Sequence, residues 1–140
     1  MTDSRDPNPA VAALLLRVSL GTMFIAHALL KYFVFTLPGT AQFFESLGLP
    51  GALGYATFAV ELVGGVLLIL GVRVRAVSLV LLPILLGATW VHAGNGWLFT
   101  SPKGGWEYPA FWTVTLVVQA LLGEGAYALR PSRSARLQTA

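Results

Sequence analysis

The stretch AVAALLLRVSLGTMFIAHALLKYFVFTL, residues 10–37, decides how this chain must be read. As a helix it exceeds the roughly 20 residues needed to cross a bilayer, yet it carries Arg17, His27 and Lys31. Ionisable side chains inside such a run face the interior of a bundle and find partners there. At 100° per residue the three fall within about an 80° arc, and Gly21, Phe24 and Ala28 share the somewhat wider stripe around it. Leu15, Met23, Leu30 and Phe33 lie on the opposite side. One face is therefore expected to turn inward and the other to face lipid.

Composition extends that reading to the whole chain. Apolar residues make up 56% of the 140 and charged residues 11%, against about 25% charged in an ordinary soluble domain. Mean hydropathy is +0.72. Three more apolar runs follow the first, at about Ala52–Val72, Ala76–Ala93 and Pro109–Leu129. The expected fold is all-α, an antiparallel four-helix bundle in the membrane. Residues 1–9 form a short leading segment, 10–129 the membrane domain and 130–140 a basic tail. Pro83 lies inside the third run, which a membrane helix tolerates when its neighbours satisfy the freed carbonyl.

The connections set topology. GVRVR, residues 71–75, is short enough to make the second and third helices antiparallel neighbours. PGTAQFFESLGLPG (38–51) and GNGWLFTSPKGGWEY (94–108) read as loops. Arg5, Arg73, Arg75, Arg130, Arg133 and Arg136 fall on one side of four spans, and Lys103 on the other. The excess of positive charge places that arginine side, with both termini, in the cytoplasm of a bacterial-type inner membrane. Trp90, Trp97, Trp106 and Trp112 fall near the outer boundary, where an aromatic belt is expected. The first ten residues, with two aspartates and no cleavage site, read as a retained segment and not a cleaved signal.

Depth along the helices pairs the polar residues. Counted from the outer ends at 1.5 Å per residue, Lys31 lies about 9 Å deep, Glu61 about 13 Å and His27 about 15 Å. Lys31 is expected to pair with Glu61, with His27 in reach. Near the inner side Arg17 lies about 10 Å deep and Glu124 about 8 Å, a second expected pair. His92, Trp90, Lys103, Glu107 and Tyr108 gather around the outer loop as the mouth of a polar funnel, and Gln119 lies deeper.

Two readings of Glu61 and Lys31 stand side by side. One is a structural ion pair that fixes helix register; the other is a site for protons or for a quinone headgroup. A quinone needs hydrogen-bond donors for its carbonyls and proton delivery on reduction, which histidine, lysine and glutamate supply. The chain has no cysteine, which excludes disulfides and Cys-ligated iron–sulfur clusters. The depth difference between His27 and His92 argues against haem, and no ligand-motif spacing points to a metal. The arginines form no stripe interleaved with aromatics, so nucleic acid is not an expected partner.

The same residues resemble the DoxX family. RVSLGTMFIAHALLK (17–31) is similar to that family's first helix, with its arginine, histidine-glycine pair and lysine. VELVGGVLLILG (60–71) is similar to its second helix, and GVRVR, HAGNGW (92–97) and GGWEY (104–108) follow in order. The chain departs at Ala28, where the family has glycine, and at GEGAYAL (123–129), which lacks the closing proline and aspartate. The resemblance implies a four-helix inner-membrane protein. Some relatives belong with a thiosulfate:quinone oxidoreductase, others associate with redox-stress enzymes, and distant ones assist assembly in animal membranes. The expected role is thus a small subunit or accessory factor of a membrane redox system. His27, Lys31 and Glu61 would contact a quinone-like ligand or relay protons; a partner protein would supply electrons. A scaffold or assembly factor is the alternative, a transporter less so, and a homo-oligomer is compatible with the glycines of the second helix.

Overall fold

The computed structural model describes residues 8–130. The positive-inside argument from Arg5, Arg133 and Arg136, and the leading segment and tail, lie largely outside the described residues. Among the described residues there are five α-helices: α1 (Asn8–Phe33), α2 (Leu37–Ser46), α3 (Ala52–Leu70), α4 (Val74–His92) and α5 (Glu107–Leu122). A 3₁₀ turn, Ala93–Asn95, follows α4. Among the described residues three helical stretches are long and apolar enough to cross a membrane: Pro9–Phe33, Ala52–Leu70 and Val74–Asn95.

The first run breaks four residues earlier than its apolar composition suggests, and the supposed loop after it contains α2. Proline lacks only an N–H that the first turn of a helix leaves unpaired, so Pro38 starts this helix instead of preventing it. The Thr36 side chain accepts the Gly39 N–H and caps the new N-terminus. Thr40 and Ala41 are its buried residues. Ala41 lies against Gly54 of α3, where even a methyl group would meet its backbone at 3.0 Å.

Between α3 and α4 the chain turns as the short linker requires. Gly71 adopts φ +70, and Val72 N–H reaches back to Leu67 C=O in the closure that commonly ends helices at glycine. Arg73 follows with φ 47 at the N-cap position of α4. Pro83 stays inside α4, as expected of a membrane helix.

The last helix is shorter than the apolar run that encodes it. It stops at Leu122, because Gly123 (φ +81) and Gly125 (φ +69) take a left-handed backbone that ends a helix. The residues after it cross the end of the molecule instead. Ala126 N–H donates to Ala10 C=O, Leu129 N–H to Leu70 C=O, and Arg130 bridges Val72. Glu124 therefore lies in this crossing segment and not on a helix.

α1 packs against α3, α3 against α4, α4 against α5, and α5 more lightly against α1, while α2 lies on α3. Leu20, Phe24, Leu68, Val74, Leu81, Leu85, Trp112 and Leu116 form the core between them. The α1–α3 contact is backbone on backbone: a Cβ at Gly21 would lie 2.6 Å from Gly65 C=O, and one at Gly65 would lie 2.8 Å from Gly21 C=O. Small residues permit that approach, and dispersion rather than water exclusion holds it in lipid. Outward, Leu15, Val63, Leu79 and Phe111 are exposed. The chain is a multi-pass membrane protein whose apolar faces contact the bilayer.

Candidate functional site

His27 and Lys31 are one turn apart on α1, and Glu61 faces them from α3. Lys31 Nζ donates to Glu61 Oε2 at 2.7 Å, with 17% and 5% of the two side chains exposed. The shared face of helical positions i and i+4 puts His27 and Lys31 on one wall, while Gly21 and Gly65 draw α3 close enough for the bond to form.

That pair opens on a cavity of about 800 Å³ between α1, α2, α3 and α4. Its polar lining comprises His27, Lys31, Glu61, His92, Lys103, Thr40 and Thr57. The remainder is apolar or aromatic, including Phe43 and Phe44 of α2 and Pro83 and Ile84 of α4. Trp90 and Trp112 also border it.

The His27 ring packs on Trp112 with centroids 4.8 Å apart, and Tyr108 stacks at 6.2 Å. Its Nδ1 lies 2.9 Å from Met23 C=O, one turn back. His92 repeats the arrangement, with Nδ1 2.7 Å from Ala88 C=O. A backbone carbonyl only accepts, so each Nδ1 bears the hydrogen.

The loop between α4 and α5 is held by hydrogen bonds of its own. Glu107 Oε1 accepts the Phe99 N–H at 2.9 Å, and Asn95 donates to Gly104 C=O at 2.9 Å. Trp97 and Trp106 meet edge to face at 4.6 Å. Glu107 and Tyr108, expected at the mouth, are not among the cavity's lining residues: Glu107 ties the loop, and Tyr108 supports His27 and Trp112 from α5. Among the mouth residues, His92, Trp90 and Lys103 do line it.

Arg17 forms a separate centre near the other end. It is 1% exposed, and its guanidinium donates to Leu68, Ile69 and Ala126 C=O. Leu68 C=O also accepts the Gly71 N–H that closes α3, so at this helix end the guanidinium adds a second donor there and caps Ile69 C=O, where a cation is favoured. Buried Glu124 is near enough for its charge to act on Arg17. Gln119, also buried, donates to Gly123 C=O at 2.7 Å and stays apart from the cavity.

Sequence reasoning missed Trp112, Thr57 and the phenylalanines of α2 as cavity residues. Thr57 sits one turn before Glu61, a spacing that placed it on the same face. Trp112 belongs to the buried row Pro109, Trp112, Leu116, Gln119 on α5, a periodicity that marks an inward face. Among the described residues no three of His, Cys, Asp and Glu gather as metal ligands do.

A membrane protein of packed apolar helices, with a buried ion pair and two histidines on one large cavity, is the class these features define. Comparison with known families is specific: residues 12–94 match the profile of the DoxX family. The chain belongs to the DoxX family. It is 42% identical over 78 residues to a protein of Bacillus subtilis (strain 168) named "Putative oxidoreductase CatD", a match covering 56% of this chain and 57% of that protein. The chain thus aligns with little more than half of that relative's length. No solved structure matches.

Proposed function

We propose that this chain is a small subunit or accessory factor of a quinone-linked membrane redox system, with the α1–α4 cavity as its ligand site. The observation that carries the reading is the cavity itself. At about 800 Å³ it falls within the roughly 300–1,000 Å³ typical of small-molecule sites, which are mostly apolar with a few placed polar groups. The donor set suits a quinone: the Lys31 ammonium for a carbonyl, Trp112, Phe43 and Phe44 for the ring, and an apolar wall for a lipid tail. A bound quinone supplies two-electron, two-proton chemistry. His27 holds or passes a proton at Nε2, Glu61 orients Lys31, and the aromatic walls exclude water. With no cysteine on the chain, a partner supplies electrons; the name of the Bacillus relative supports an oxidoreductase setting.

In this reading α5 is the fourth span and the membrane is a bacterial-type inner membrane. Arg73, Arg75 and Arg130 gather at one end of the molecule, where Arg130 bridges Val72, and the positive-inside rule makes that end cytoplasmic. The Lys31–Glu61 bond is complete within the protein, which favours, as the second reading, a scaffold whose polar pairs are structural. Mass spectrometry of an organic extract from purified protein separates them. Retention of a quinone, lost in Glu61→Gln, supports the first. An empty protein whose Glu61→Gln variant loses only thermal stability would contradict it.

A further inference from the structure

We propose that the cavity selects the reduced form of its ligand, a headgroup bearing phenolic hydroxyls, over the oxidised carbonyl form. The inference rests on the reading that a quinone-class molecule occupies the cavity, and concerns binding alone.

The histidines carry the argument. His27 and His92 each commit Nδ1 to the carbonyl one turn back, at 2.9 and 2.7 Å. A neutral imidazole with its hydrogen on Nδ1 leaves Nε2 as a bare acceptor. Neither Nε2 has a hydrogen-bond partner among the described residues, and both rings line the cavity. To present an N–H there, either ring must give up its carbonyl bond. Two independent helices thus set the same tautomer on one cavity.

A quinone carbonyl only accepts. Set against a bare Nε2, it brings two lone pairs together and desolvates both. A phenolic hydroxyl donates to that nitrogen and still accepts elsewhere. Lys31 completes the pattern. It stands one turn from His27, and its bond to Glu61 uses one of three ammonium hydrogens. A hydroxyl at this position donates to His27 Nε2 and accepts from Lys31. A carbonyl satisfies only the lysine, and an ether oxygen likewise.

Three probes separate these cases: a decyl-substituted 1,4-hydroquinone, the corresponding quinone and the dimethyl ether of the hydroquinone. Their dissociation constants are measured on the full chain in lipid nanodiscs, anaerobically, by displacement of a fluorescent hydroxyarene. The hydroquinone is expected to bind about tenfold more tightly than the other two, the worth of a hydrogen bond gained and an unpaired acceptor avoided. His27→Phe is expected to bring the three within about twofold of one another, since the discriminating acceptor is gone. The wild-type series decides the matter even if that variant fails to fold. Quinone or ether binding as tightly as the hydroquinone overturns the selection and leaves the quinone-class reading standing. Binding of none of the three overturns both.

Discussion

Lys31 and Glu61 each neutralise a charge that the surrounding apolar side chains cannot solvate. Removing one partner strands the other, which costs on the order of 3 kcal/mol for a buried pair. Lys31→Met is therefore expected to lower the midpoint of thermal unfolding in detergent, and the double variant Lys31→Met/Glu61→Leu to recover most of the loss. If the two single losses simply add in the double variant, the residues are not energetically coupled. Arg17 is a different case, because its hydrogen-bond partners are carbonyls. Arg17→Met removes the donor to Ile69 and Ala126 C=O and one of two donors to Leu68 C=O, which keeps the Gly71 N–H, and a loss of about 3 kcal/mol is expected. Leu15→Ala, on the lipid-facing side at 63% exposure, is expected to change stability by less than about 0.5 kcal/mol. The Lys31–Glu61 pair was legible in the sequence because both residues can be counted inward from the outer ends of their helices. The carbonyl partners of Arg17 were not, since side-chain patterns say nothing about which backbone carbonyls lie in reach; Glu124, expected beside it from depth, does act on its charge.

The elements show where the fold has slack and where it has none. A Cβ at Gly21 would lie 2.6 Å from Gly65 C=O, whereas nothing stands within 4 Å of one at Gly87, which lines the cavity. Gly21→Ala is accordingly expected to cost about 1–3 kcal/mol by overpacking, read as a lower unfolding midpoint. Gly87→Leu is expected to leave stability near wild type while its side chain enters the cavity and weakens ligand binding at least about tenfold. Unchanged binding in a folded Gly87→Leu protein would place the ligand elsewhere. For α2, Thr36→Ala removes the cap and is expected to cost about 1 kcal/mol, with faster amide exchange over Leu37–Ser46 as the local readout. This helix escaped sequence reading because Pro38 and Gly39 look like a loop until Thr36 is seen as a cap. The end of α5 escaped for the converse reason: the apolar Ala126, Ala128 and Leu129 continue the hydropathy while two glycines have already turned the chain.

At the scale of the molecule, long apolar helices share one cavity, and Arg73, Arg75 and Arg130 lie at one end. The absence of cysteine from the sequence makes its topology directly measurable. A cysteine replacing Lys103 is expected to react with an impermeant maleimide in intact cells, and one replacing Arg75 only after permeabilisation; the reverse pattern would invert the assigned orientation. Three spans, the tight α3–α4 turn and the inward face of α1 were all readable from hydropathy and spacing. The cavity's size and its wall of α2 phenylalanines were not, because they depend on how a short helix outside the apolar runs folds back over the others. The central claim is that this cavity holds a lipid-soluble quinone-class molecule. Photolabelling of the purified protein with an azido-quinone, followed by peptide mapping, tests it most directly. The expected labels fall on Phe43, Phe44, Ile84 and Val91 and disappear with excess unlabelled ligand. Labels spread over Leu15, Val63 and Leu79, or insensitive to that excess, would contradict the claim.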